Sequence, residues 1–102
     1  MHVKNRTIIL SGGCSGLGLA AAKDLHSQGA YVALLDLNDD AGAEIVAELG
    51  SRSKFWECDV SETASVEAAV KGAAEWAKST GAEMGGVVAA AGVGGASKVW
   101  NL

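Results

Sequence analysis

The sequence predicts an α/β fold built on a parallel, doubly wound sheet, and three observations predict it. Short apolar runs of strand length alternate with stretches whose apolar residues recur at helical spacing. Glycine accounts for 14 of 102 residues, with no proline, and mostly follows apolar runs, unlike the glycine of a flexible linker. Strands joined by single helices require crossover connections, which are right-handed and pair the strands in parallel.

The elements follow in order. Thr7 to Leu10 is an apolar run with β-branched residues and predicts a buried first strand. A glycine loop comes next, Ser11-Gly12-Gly13-Cys14-Ser15-Gly16. From Leu17 to Gln28 the spacing is helical, with Leu17, Ala21 and Leu25 on one face and Lys23, His26 and Ser27 away from it. Gly29 stands where a left-handed cap ends a helix. Tyr31 to Leu35 predicts a second strand, with Asp36 at its end. Asn38 is placed to cap the second helix, and Asp39 and Asp40 fill its first turn, where negative charge suits the helix dipole. That helix runs to about Leu49, and Gly50 stops it. Lys54 to Cys58 predicts a third strand, Asp59-Val60 its end, and Ser61 the cap of a third helix from about Glu62 to Lys78. Gly81 punctuates, and Gly86 to Ala90 is a fourth strand followed by Gly92-Val93-Gly94-Gly95.

The expected sheet has four parallel strands ordered 3-2-1-4, with the first two helices on one face and the third on the other. Residues 1–102 are expected to form a single NAD-binding domain, incomplete at its C-terminal side. One helix is too little to cover its face. An exposed apolar patch is therefore expected, with Val87, Val88 and Ala89 of the fourth strand as a bare edge open to self-association.

Composition removes several classes of function. Eight basic and 12 acidic residues give a net charge of −4, which argues against a nucleic-acid or anionic-membrane surface. No apolar run reaches the roughly 18 residues of a transmembrane helix. The first six residues lead straight into a strand, so no secretory signal is expected. The two cysteines, Cys14 and Cys58, make no disulfide framework and fit a reducing, intracellular compartment.

The chemistry centres on Gly12-x-x-x-Gly16-x-Gly18, set between the first strand and the first helix. A turn this tight needs positive φ, which glycine tolerates. A pyrophosphate must approach the backbone closely, so side chains are excluded there. The helix then presents unpaired N–H groups and a partial positive charge to the phosphates. Gly18 lets helix and strand pack closely. The alternative is a structural turn with no ligand. Against it stands Asp36, 18 residues after Gly18 and ending the second strand. That is near the roughly 20-residue separation of a carboxylate that binds ribose hydroxyls. A carboxylate there repels a 2′-phosphate, and neither Ser15 nor Leu37 supplies an offsetting cation. The expected cofactor is NAD in preference to NADP.

These residues resemble the short-chain dehydrogenase/reductase family, which has a Rossmann fold. Ser11 to Gly18 is similar to the family's Thr-Gly-x-x-x-Gly-x-Gly, with Ser for Thr. Asp59-Val60 resembles its adenine-contacting pair, and Ala89-Ala90-Ala91-Gly92 its Asn-Asn-Ala-Gly motif. Within the family, Ser11–Gly18, Leu34-Leu35-Asp36-Leu37, Ala91-Gly92-Val93, Ala96-Ser97-Lys98 and Asn101-Leu102 are most similar to the branch acting on 3-hydroxyacyl-CoA. The resemblance implies that the Ser15 and Leu17 backbone lies at the pyrophosphate and that Asp36 holds the ribose. It places Asp59 at the adenine amino group, Val60 at the adenine ring, and Ala90 and Gly92 beside the second ribose. It implies a mitochondrial or cytoplasmic enzyme that oxidises a secondary alcohol by hydride transfer to NAD.

Two departures bear on that expectation. Ala89 and Ala90 replace the asparagines whose side chain ties the fourth strand to neighbouring backbone. The family's catalytic serine and Tyr-x-x-x-Lys pair are absent. Tyr31 is the single tyrosine, and Leu35, four residues on, is no lysine. A general acid missing from the chain cannot be supplied by fold. The chain alone is expected to be an inactive N-terminal portion; a non-catalytic NAD or AMP module and an inert truncated product are the alternatives.

The remaining candidates read as structural. Cys14 lies near a helix N-terminus, where thiols acidify, yet it has no evident base and reads as a loop filler. Cys58 reads as core. Asp36, Asn38 and Asp40 match the start of a calcium loop, but Ala41 and Ala47 stand where its glycine and glutamate belong. His2 and His26 have no metal-ligand partners at the right spacing. Trp56 and Trp76 are expected to pack against core or helices, and Trp100 lies in the tail.

Overall fold

A computed structural model describes residues 4–12, 16–37, 39–59, 62–89 and 98–100. Strand β1 (Arg6–Ser11) leads to helix α1 (Gly16–Ser27), β2 (Tyr31–Asp36), α2 (Asp39–Leu49), β3 (Ser53–Glu57), α3 (Thr63–Thr80), β4 (Glu83–Ala89) and β5 (Lys98–Trp100). The sheet order is β3-β2-β1-β4-β5. The first four strands pair in parallel, in the expected 3-2-1-4 order.

Two clusters of apolar side chains lie on opposite faces of this sheet because successive strand residues point to opposite sides. Ile8, Leu10, Val32 and Leu34 pack with Ala22 of α1 and Ile45 of α2. Ile9, Ala33 and Leu35 pack with Cys58 and with Ala69 and Ala73 of α3. Helices α1 and α2 therefore share one face and α3 takes the other, as right-handed crossovers require. Cys58 is a buried free thiol, as its position predicts. Trp56 and Trp76 pack at the border of the α3-side cluster.

Glycines end all three helices in the left-handed region, Gly29 at φ 92°, Gly50 at 76° and Gly81 at 79°. The Gly81 amide closes α3 by donating to the Lys78 carbonyl at 3.3 Å. Arg52 also adopts positive φ, 70°, and its guanidinium donates to the His26 and Ala30 carbonyls, both at 3.1 Å. The α2–β3 turn thus ties down the C-terminal end of α1. Thr7 is fully buried, and its hydroxyl donates to the Ala82 carbonyl at 2.8 Å.

Three expectations need correction. The edge of β4 is not bare: β5 pairs with it antiparallel, Val87 opposite Trp100, Val88 opposite Val99 and Ala89 opposite Lys98. Trp100, read as part of a tail, belongs to that strand. An edge strand's open N–H and C=O groups draw the nearest extended segment, so self-association through a free β4 edge loses its basis. The N-cap of α3 is Glu62 instead of Ser61, and it makes no side-chain cap bond. Finally, β4 starts at Glu83, because Gly85 accommodates a register shift between Thr7 and Ile8 of β1. A Cβ on Gly85 would stand 2.9 Å from the Arg6 Cβ. The proposed cap Asn38 lies outside the described residues.

Ala74, Ala77 and Met84 line an apolar groove of about 300 Å³ between α3 and β4, with Lys78 and Glu83 at its rim.

Candidate functional site

The site is built at the carboxyl edge of the sheet. Strand β1 ends at Ser11, and Gly12 turns the chain at φ 74°, where a Cβ is disfavoured. The buried Gly12 amide donates to the Leu35 carbonyl at 2.7 Å, one step beyond the Ser11–Leu35 register pair. The mouth of the bend is thereby fixed against the residue that precedes Asp36.

Helix α1 starts at Gly16, immediately after the bend. Its first-turn amides have no carbonyl within their own helix to bond. Gly18 is buried in that first turn, and Ala22, one turn on, is fully buried in the core. Small residues on this side bring the helix N-terminus close to the sheet.

Asp36 ends β2 and is half-buried. Its carbonyl accepts the Cys58 amide at 2.9 Å, which carries the ladder past the end of β3. Leu37 follows it and is 62% exposed, the larger exposure of two large apolar side chains open to solvent among the described residues. Asp59 is half-buried in the turn before α3. Its amide donates to Ser65 Oγ at 3.0 Å, and its carbonyl accepts the Glu62 amide at 2.9 Å.

The structure thus brings Gly12, Gly16, the Leu17 backbone, Gly18, Asp36 and Asp59 to one edge, from three adjacent strand ends. Ser15, Val60, Ala90 and Gly92, the other expected binding positions, lie outside the described residues. Residues 11–12, 36–37 and 57–59 contribute the carboxylates of Asp36, Glu57 and Asp59 and no Lys or Arg.

This edge suits a dinucleotide's adenosine diphosphate half. A carboxylate accepts from vicinal hydroxyls, a glycine bend admits a pyrophosphate against backbone amides, and a helix N-terminus favours its charge. Sequence reading did not find Ser65, whose hydroxyl fixes the Asp59 turn. A serine in the first turn of a helix has many readings, so only the bond itself marks it. The sequence marks Leu37 only by its lack of charge; its exposed apolar surface is seen in the fold. Among the described residues, no group of three or more His, Cys, Asp or Glu side chains is placed to hold a metal ion. No described helix is long and apolar enough to cross a membrane.

Comparison with known proteins gives a consistent result. The human 3-hydroxyacyl-CoA dehydrogenase type-2 is 37% identical over 100 residues, covering 98% of this chain and 37% of that protein. The Drosophila melanogaster 3-hydroxyacyl-CoA dehydrogenase type-2 is 42% identical over 69 residues, 68% of this chain and 27% of that protein. The crystal structure of 3-hydroxyacyl-CoA dehydrogenase type-2 from Mycobacterium avium superposes with a TM-score of 0.75 at 32% identity, over 87% of this chain and 33% of that one. A 3-ketoacyl-(acyl-carrier-protein) reductase from Brucella melitensis, crystallised with NADH, superposes with a TM-score of 0.72 at 26% identity, over 74% of this chain and 31% of that one. The chain spans 27% to 37% of the length of these two sequence relatives. A family model described as short chain dehydrogenase matches residues 6–102. The parallel 3-2-1-4 sheet, the glycine bend and this match over nearly the whole sequence agree, and the chain belongs to the short-chain dehydrogenase family.

Proposed function

We propose that this chain binds the adenosine diphosphate half of NAD, as the nucleotide-binding portion of an NAD-dependent short-chain dehydrogenase. The observation that carries the reading is the 2.7 Å bond from the Gly12 amide to the Leu35 carbonyl, which seats the glycine bend beside Asp36. Asp36 accepts from the ribose hydroxyls. The backbone of Gly12 to Gly18, Ser15 and Leu17 included, meets the pyrophosphate. Asp59 and Val60 take the adenine, with exposed Leu37 as an apolar neighbour, and Ala90 and Gly92 lie along the second ribose. The same carboxylate disfavours a 2′-phosphate, so NAD is preferred to NADP.

Bound NAD would supply a hydride acceptor for a secondary alcohol. The likeness to 3-hydroxyacyl-CoA dehydrogenases supports a 3-hydroxyacyl-CoA as the substrate of an intact relative. This chain contributes binding and orientation to such a reaction. It carries no proton donor of the Tyr-x-x-x-Lys kind, since Tyr31 is its single tyrosine and lies in β2. A non-catalytic nucleotide-binding module is therefore the reading for the chain by itself.

The test pairs two measurements on the purified chain. ADP-ribose is expected to bind saturably and its 2′-phosphorylated form much more weakly. NAD with a 3-hydroxyacyl-CoA is expected to yield no NADH. Equal binding of the two nucleotides contradicts the assignment of Asp36, and steady NADH formation contradicts the reading of this chain as lacking the reaction's proton donor.

A further inference from the structure

A second pocket lies on the α3 face at the opposite flank from β4, where α3 crosses the edge strand β3. It has about 350 Å³ of space and is lined by Lys54, Trp56, Gly72, Glu75, Trp76 and Ser79. That volume falls within the roughly 300–1,000 Å³ of small-molecule sites. The sheet order puts β3 at the outer edge, so strands added beyond β4 or β5 leave this flank open.

The pocket has an aromatic corner. The Trp56 and Trp76 rings meet edge to face, with centroids 5.8 Å apart and planes at 65°. Tyr31 braces Trp76 from behind in the same manner, at 5.9 Å and 65°. Both indoles are half-buried, so each is held by the core on one side and open on the other. Gly72 makes the corner possible, because a Cβ there would lie 2.5 Å from the Trp56 indole nitrogen.

Opposite charges line the same pocket. The Lys54 ammonium lies 5.5 Å from the Trp56 ring centroid. Glu75, on α3, lines the same space. Among the described residues neither Lys54 nor Glu75 has an ion-pair partner, and Lys54 rests over the Trp56 ring instead of on a carboxylate. A few convergent polar groups around an apolar floor are what orient a small ligand.

We propose that this pocket binds a small zwitterion with a planar ring, of the aromatic α-amino acid class. Its ring occupies the Trp56–Trp76 corner, its carboxylate faces Lys54 and its ammonium faces Glu75. Ring stacking at such a corner has preferred offset or edge-to-face geometry. The site is separate from the carboxyl-edge nucleotide site and does not depend on its assignment.

Phenylalanine is the probe, followed through the indole N–H resonances of Trp56 and Trp76 by heteronuclear NMR on the whole chain. Phenethylamine and 3-phenylpropionate each carry one of its two charges. Lys54→Gln and Glu75→Gln alter exposed side chains, and native far-UV circular dichroism confirms that each variant folds. Saturable shifts with phenylalanine are expected. Lys54→Gln is expected to weaken phenylalanine and 3-phenylpropionate by up to about fivefold while sparing phenethylamine, and Glu75→Gln to do the converse. No saturable shift in folded wild type at millimolar phenylalanine overturns the proposal, as does unchanged binding of all three probes in both variants.

Discussion

The ring of Phe55 occupies the space in which a side chain on Gly42 would stand, and its chain neighbour Trp56 does the same at Gly72. Consecutive residues of β3 point to opposite faces, so one strand docks α2 on one side and α3 on the other, each through an aromatic ring set in a glycine notch. Gly42→Ala and Gly72→Ala are each expected to destabilise the chain by about 1–3 kcal/mol through overpacking, despite alanine's better helix propensity. Urea unfolding gives the values. A Gly42→Ala, Phe55→Leu double variant is expected to lose less than the sum of its parts, since the two residues share one space.

Arg52 supports a prediction of a different kind. It combines a left-handed backbone at φ 70° with one bond to the His26 carbonyl in the last turn of α1 and one to the Ala30 carbonyl just before β2. Arg52→Ala keeps the strain and loses the bonds, at a cost of about 1–3 kcal/mol. Arg52→Gly loses the bonds but relieves the strain, and is expected to be about 1 kcal/mol more stable than the alanine variant. Thermal melts of both separate the backbone contribution from the side-chain one. Equal stability removes the strain from the account.

Thr7 is the buried polar residue of β1, and its hydroxyl reaches the Ala82 carbonyl just before β4. Thr7→Val retains the shape and orphans that carbonyl. The expected cost is about 1 kcal/mol, read by chemical denaturation at unchanged secondary structure.

The bend makes a prediction in which stability and binding move together. Gly12→Ala forces a Cβ onto a backbone at φ 74°, at the residue whose amide holds the Leu35 carbonyl. It is expected to cost about 1–2 kcal/mol of stability and to weaken ADP-ribose binding. A variant with unchanged stability and binding contradicts the role given to this turn.

How far the sequence carried this account depends on whether the information was local. Sheet order and helix sides were legible because apolar runs separated by single helices leave few right-handed arrangements. Gly29, Gly50 and Gly81 announced the helix ends. Gly12 and Asp36 were legible together because a glycine bend and a carboxylate one strand later have a defined spacing. Strand β5 was not, since the three residues Lys98–Trp100 are too few to show a period and their pairing is decided by the open edge of β4. The notches at Gly42 and Gly72 were equally hidden, because the residues that need them lie in another element. Ser65 and Arg52 act through single hydrogen bonds to distant backbone, and no local spacing encodes such bonds.

The most direct test is calorimetric titration of ADP-ribose into the wild-type chain and into Asp36→Ala. Saturable binding to the wild type is expected, with affinity at least about tenfold lower in the variant and both proteins equally folded. Equal affinity in the two proteins, or no binding to a folded wild type, contradicts that expectation.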